Sequence, residues 1–313
     1  MESTTFTYKH DSSAGDITAH VHYAPASSST SQLPIALIFH AGGFTVGSTD
    51  LIAPSQIEAL VKMLGFVVVC PDYRLCPQVG LYEGPITDAK DSLDWVRREL
   101  PAQLKAHTNG AIEVDPQRVV AMGHSAGGNL ALQLGAVPNP PKAIADFYGS
   151  KYLDDPFWHS PLPSLSELPD FDPNFLAKVY TDPPNVPTTT PPTFVAGKPV
   201  LTSSRNAWML DALKRGTHLK EIVRDGDLQR CDPVSGFGAK GFPPTIFVHG
   251  TADLFAPAEQ SARAVKELKE KGVDAELVSV DGQPHMFDVA LKEGDELFDG
   301  VVIEVLKWLK ERV

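Results

Sequence analysis

The chain has 313 residues, 42% of them hydrophobic and 21% charged, with a formal net charge of −12. That balance suits a globular protein long enough to bury a full core, and its acidity argues against nucleic acid or an anionic membrane surface as partner. Three cysteines, Cys70, Cys76 and Cys231, cannot build a disulfide framework, so a reducing compartment is the simpler expectation.

The N-terminus has no basic stretch followed by an apolar one, and no run reaches the roughly 18 apolar residues a membrane span needs. A cytoplasmic, unanchored protein is expected. Residues 4–9 and 17–23 alternate in polarity and read as a strand pair. His20 and His22 share one face of the second strand. They read as solvent-facing, since no nearby Cys/His cluster completes a metal site. Residues 26–32 form a serine-rich loop.

Residues 34–40 are a continuous apolar run, the mark of a strand buried on both faces, and end in His40-Ala41-Gly42-Gly43-Phe44. A helical pattern over 57–64 precedes a second buried strand, 65–70, which leads into Pro71-Asp72-Tyr73-Arg74. Residues 86–100 have helical spacing, 118–123 form a third strand, 126–134 its helix, and 143–148 a fourth strand. From 151 to 242 the rhythm breaks into prolines and scattered aromatics, with one helical segment at 205–223. About 90 residues exceed any ordinary loop, so this is an inserted subdomain or cap. The alternation then resumes with a strand at 245–249, a helix at 258–271, a strand at 275–280 and an amphipathic helix at 296–311. Four parts follow: 1–33, 34–150, the cap 151–242, and 243–313. Buried strands alternating with helices imply an α/β fold with a mostly parallel sheet covered on both faces.

The third strand runs into Gly123-His124-Ser125-Ala126-Gly127, a G-x-S-x-G between strand and helix. A strand turning at once into a helix raises the serine above the sheet and leaves no room for side chains at the two glycines. A serine hydroxyl needs a base, and the base a third group to fix its tautomer. His285 is the one histidine after the resumed strands, in a loop beyond the last of them. Asp253 lies just past the C-terminal end of the strand at 245–249, the edge where open α/β sheets gather their sites. Asp274 and Asp281 are weaker candidates because they flank the final strand as turn residues. The His40–Gly43 loop, after a neighbouring strand, suits backbone N–H groups that stabilise an oxyanion.

Together, His40-Ala41-Gly42-Gly43-Phe44, Asp72-Tyr73-Arg74-Leu75, Gly123 to Asn129, Asp253 and His285-Met286-Phe287 resemble the hormone-sensitive-lipase-like branch of the α/β-hydrolase superfamily, from about residue 34 to the C-terminus outside the cap. The resemblance implies an eight-stranded, mostly parallel sheet with helices on both faces and a cap made from the N-terminus and an insertion. It implies carboxylic-ester hydrolysis without metal or cofactor. Carried across by motif, Ser125 is the nucleophile, Asp253 the orienting acid and His285 the base. The N–H groups of Gly42, Gly43 and Ala126 form the oxyanion hole, and Tyr73 and Arg74 are structural. The family's H-G-G-G loop has Ala41 here in place of its first glycine, and Pro257 stands where a second acidic residue often follows the aspartate.

Phe44, Leu254, Met286 and Phe287 sit beside these motifs, and the cap offers Phe157, Trp158, Phe171, Phe175, Tyr180, Phe194, Trp208 and Met209. A largely apolar substrate cavity is expected, with Phe44, Leu254 and Met286 as substrate-binding candidates. The partner expected is a small-molecule ester of a small or medium acyl group, on an aromatic or polyketide-like scaffold. A lactone, amide or thioester, acyl transfer or cyclisation remain alternatives, since fold and triad do not separate them. A small-molecule receptor is a third reading, which the presence of His285 disfavours. The resemblance makes a homodimer common, and no residue argues for one.

Overall fold

In the computed structural model the described residues are 1–25, 32–184, 193–195, 198–200 and 203–313; most of the serine-rich stretch at 26–32 lies outside them. Strands β1 (Glu2–Asp11) and β2 (Gly15–Tyr23) form an antiparallel hairpin. Next come β3 (Leu33–Phe39), helix α1 (Pro54–Glu58), β4 (Val67–Pro71), α2 (Thr87–Arg98) and α3 (Leu100–His107). Strand β5 (Val114–His124), α4 (Ala126–Gln133) and β6 (Ile144–Phe147) complete the first part of the core.

The segment between β6 and Thr245, for brevity termed the cap, holds α5 (Pro173–Ala177), the short pair β7 (Thr193–Val195) and β8 (Lys198–Val200), α6 (Ser204–Arg215), α7 (His218–Ile222) and α8 (Leu228–Cys231). The core resumes with β9 (Thr245–Gly250), α9 (Ala258–Glu270), β10 (Ala275–Val280) and α10 (Ile303–Lys310).

Eight strands form one sheet in the order β1-β2-β4-β3-β5-β6-β9-β10. The pairs β1–β2 and β2–β4 are antiparallel, and every pair from β4 to β10 is parallel. Strands β4, β6 and β9 are buried at every residue, as the apolar runs require when helices cover both faces. The parallel strands point their C-terminal ends the same way, so the loops after β3, β5, β9 and β10 share one edge of the sheet. Those loops carry Gly42, Ser125, Asp253 and His285.

Three local expectations are corrected. The helical segment at 205–223 is two helices, because Gly216 takes the left-handed conformation (φ 71°) and closes α6 with an N–H bond to Leu213 O. His20 and His22 are half-buried rather than solvent-facing; the segment at Thr49 packs over this face of β2, with Thr49 Oγ1 3.4 Å from His20 Nδ1. The closing helix at 296–311 opens with a wider turn at Phe298–Val302 before α10 begins.

All three cysteines are free and buried, and burial pushes their thiols up, that of Cys231 to about 12. Among the described residues no helix is long and apolar enough to cross a membrane.

The cap is fastened to the core by buried polar contacts. Arg205 of α6, fully buried, donates Nη1 to the carbonyls of Thr45 (3.2 Å) and Cys76 (2.7 Å). Gln78 of the core donates to the Val179 carbonyl of the cap.

Candidate active site

β5 ends at His124 and α4 starts at Ala126, so Ser125 makes the turn alone, at φ 54° and ψ −116°. A side-chain-bearing residue holds such a conformation only where its surroundings impose it. Here a Cβ on Gly123 would lie 1.9 Å from the Gly127 carbonyl oxygen, so strand and helix pass at backbone contact. The Ser125 hydroxyl therefore stands at the N-terminus of α4.

The structure brings three of the sequence candidates into one hydrogen-bonded line. Ser125 Oγ is 2.9 Å from His285 Nε2, and His285 Nδ1 is 2.6 Å from Asp253 Oδ2. With the carboxylate as acceptor, Nδ1 carries the proton and Nε2 is left to accept from the serine. The other two acids lie elsewhere: Asp274 pairs with Arg312, and Asp281 accepts from Thr251.

Asp253 is saturated. Its Oδ1 accepts from the amides of Phe255 (2.8 Å) and Ala256 (3.0 Å), and its Oδ2 accepts also from His249 Nε2 (3.1 Å). Burial alone would raise its proton affinity, but the bonds from His249 and His285 hold it well below the usual carboxylate range. These donors also explain how the site does without an acid at Pro257, which instead caps α9.

His249 Nε2 faces a second acceptor, Ala256 O at 3.1 Å, so that nitrogen bears the proton. Its Nδ1 then accepts from Ser261 Oγ (2.7 Å), which accepts from Lys151 Nζ (3.1 Å). Lys151 is fully buried beside an equally buried Asp146 at 2.9 Å. A polar chain thus runs from Ser125 into the core.

A second carboxylate, Asp288, gathers the surrounding loops. Fully buried, it accepts from Gln56 Nε2 (2.6 Å) and the Tyr148 hydroxyl, with His124 Nε2 at 3.0 Å. Tyr148 lays its ring 4.7 Å from that of His285.

Ala41 has no positive φ, so its Cβ costs nothing there. Gly42 has φ 127°, and a Cβ on it would lie 1.9 Å from Val46 O. The loop is held from behind by His40, whose ring stacks on Tyr73 at 4.1 Å while the Tyr73 hydroxyl donates to His40 O at 2.9 Å. The amides of Gly42, Gly43 and Ala126 meet no acceptor among the described residues, and all three residues line the cavity that Ser125 faces.

This predicts that Gly42→Ala displaces the loop and lowers kcat about 10²-fold. Steady-state kinetics on a p-nitrophenyl ester, normalised by burst titration, measures it, and an unchanged kcat would refute it.

The cavity has a volume of about 330 Å³ and a mainly apolar lining. Phe44 and Met286 lie on its wall. Leu254 does not. It is 65% exposed, because the 253–256 turn folds its amides back onto Asp253 and throws residue 254 outward. Its neighbour Phe255 takes the place, stacked on His285 at 5.6 Å. From the cap, Trp158 and Met209 line the cavity, Tyr180 is exposed, and the Phe194 side chain lies outside the described residues.

The cap also contributes His218, a residue without a sequence signal. Buried on the cavity wall, it has Nε2 3.1 Å from Thr45 Oγ1. Burial lowers its pKa to about 4 from an ordinary 6.5. Between those values the unfolded chain carries the proton and the folded one does not. Stability is therefore full above pH 6.5 and is lost as pH falls toward 4, by on the order of 3 kcal/mol. The Tm of His218→Phe should fall less than that of wild type across this window; parallel curves in a thermal scan would contradict it.

Among the described residues no group of three or more His, Cys, Asp or Glu side chains is placed to hold a metal ion.

A family model described as alpha/beta hydrolase fold matches residues 36–289. The non-reducing polyketide synthase ausA of Aspergillus calidoustus is 33% identical over an alignment of 294 positions that covers 82% of this chain and 12% of that protein. The non-reducing polyketide synthase atr1 of Stereocaulon alpinum is 33% identical over an alignment of 309 positions that covers 91% of this chain and 12% of that protein. The chain thus spans about an eighth of the length of these curated relatives.

Among solved structures, Thermogutta terrifontis esterase 2 phosphorylated by paraoxon superposes with a TM-score of 0.64 at 20% identity, covering 99% of this chain and 94% of that one. A protein of unknown function from Staphylococcus aureus subsp. aureus Mu50 gives 0.69 at 16% identity, covering 98% and 99%. At such identities the likeness is one of fold.

Proposed function

Since the chain belongs to the hormone-sensitive-lipase-like group of the α/β-hydrolase fold family, we propose that it is a serine hydrolase that cleaves carboxylic esters of small to medium, largely apolar substrates through an acyl-enzyme. The observation that carries this reading is the line of contacts Ser125 Oγ–His285 Nε2–Asp253, at 2.9 and 2.6 Å. His285 takes the hydroxyl proton as Ser125 Oγ attacks the ester carbonyl, and the negative charge on oxygen falls to the amides of Gly42, Gly43 and Ala126. The imidazolium, stabilised by Asp253, hands the proton to the leaving alcohol. Water, deprotonated by the same histidine, then attacks the acyl-serine ester and the acid departs. These steps need no metal or cofactor.

The polyketide synthase names of the relatives favour a second reading, in which the acyl group is a polyketide chain and the bond cleaved is a thioester, or the acyl-enzyme passes to a nucleophile other than water. Sulfur as leaving atom uses the same residues in the same roles. Paraoxon tests what both readings share. Its diethylphosphoryl group should bond to Ser125 Oγ, located by peptide mass spectrometry, with release of one equivalent of p-nitrophenolate and complete loss of p-nitrophenyl ester turnover; no adduct, or an adduct elsewhere, would sink both.

A further inference from the structure

An apolar cavity selects by size, whereas a polar group fixed in its wall selects by chemistry. Apart from Ser125 and His285, few polar side chains line this one. Tyr148 gives its hydroxyl to Asp288 and Trp158 its indole N–H to the Lys151 carbonyl, while the Ser150 hydroxyl, although without a partner among the described residues, is fully buried in the wall. His218 is different. One nitrogen, Nε2, is pinned at 3.1 Å from Thr45 Oγ1, and the ring meets Trp208 edge-on at 6.1 Å between centroids. The other, Nδ1, has no hydrogen-bond partner among the described residues and is not fully buried. The ring also borders the oxyanion loop: a Cβ built on Gly43 would lie 3.6 Å from His218 Cε1.

We propose that His218 is a specificity-determining residue whose Nδ1 receives a hydroxyl group on the acyl portion of the substrate. The inference rests on the ester-hydrolase reading of Ser125. The chemistry of the partner follows from the Thr45 hydroxyl, which has one proton and two neighbours, Gly43 O at 3.1 Å and His218 Nε2. If the proton goes to Gly43 O, Nε2 must donate and Nδ1 accepts; if it goes to the imidazole, Nδ1 donates. A hydroxyl meets either state. A carbonyl or ether meets only one, and an ammonium only the other. Burial keeps the ring neutral at ordinary pH, so a carboxylate or phosphate finds no counter-charge there.

Placement on the acyl side follows from the different neighbours of His285 and His218. The leaving oxygen must reach His285 Nε2, and the His285 ring stacks on Phe255, which is 37% exposed. His218 instead stands against Gly43 of the loop after β3 and against Trp208 of the cap, among the buried lining residues Leu210, Leu219 and Ile222.

The test compares p-nitrophenyl esters of phenylacetate with its 2-, 3- and 4-hydroxy and methoxy derivatives, on wild type, His218→Phe and His218→Leu. At one ring position or more, the wild type should favour the hydroxy ester over both parent and methoxy ester by about 10-fold or more in kcat/KM, and both variants should cut that preference to within about 3-fold. Because the preference is a ratio within each protein, partial misfolding cancels. No hydroxyl preference in wild type at any position, or a preference that survives in both variants, overturns the inference while leaving turnover of the parent ester intact. Failure of wild type to turn over even the parent ester removes the hydrolase reading, and this inference with it.

Discussion

Replacing Ser125 with alanine should abolish the burst of p-nitrophenolate and lower kcat by about 10⁶-fold, with KM nearly unchanged. The hydroxyl lies 2.9 Å from His285 Nε2 at the head of α4, and nothing adjacent replaces it. The strained turn imposed by Gly123 and Gly127 stays, since alanine must adopt the same φ of 54°. Fold and cavity should therefore survive, and Tm should move little. Residual turnover would come from the oxyanion donors and from binding alone. Single-turnover release with enzyme in excess is the measurement, and a variant retaining more than about 1% of kcat would rule out Ser125 as nucleophile.

Asp253→Asn should lower kcat about 10⁴-fold. The loss would come from the wrong proton inventory rather than from lost shape. Four donors converge on the carboxylate: two amides on Oδ1 and two imidazoles on Oδ2. An asparagine must turn its NH₂ toward one pair or the other. Facing the amides, it breaks the turn that carries it. Facing the histidines, it drives His285 to the tautomer protonated on Nε2, which can no longer accept from Ser125. The same substitution at Asp281, whose carboxylate takes one bond from Thr251 near the surface, should leave kcat within about 2-fold. Comparable losses at both positions would show that Asp253 has no special role.

Much of the core was legible because its signals are local. Runs such as 34–40 and 65–70 are apolar throughout, which only a strand covered on both faces needs, and β3 and β4 occupy those places. Ser125 announces itself through two glycines within two residues, and Asp253 and His285 through their positions just past strands. What was not legible depends on distance along the chain. Asp288 joins Gln56, 232 residues away, and nothing near either residue signals the pair. His249 looks like the polar end of a buried strand until the turn at 253–256 brings Asp253 back over it. Leu254 was misplaced for the same reason: adjacency to a motif does not say which way a turn throws a side chain. In the cap, where no periodic pattern runs long, His218 gained its place only from the fold of α6 and α7 around Gly216.

Arg205 has a consequence for how the cap is inherited and engineered. Its guanidinium, 0% exposed, ends on the Thr45 and Cys76 carbonyls of the core. Removing the cap would strand those carbonyls, and truncating the arginine would leave them buried without a donor. The cap is thus no detachable module grafted onto a self-sufficient enzyme. Core and cap should melt in one cooperative transition, and a chimera that borrows a foreign cap must bring its own cation for that junction or fail to fold.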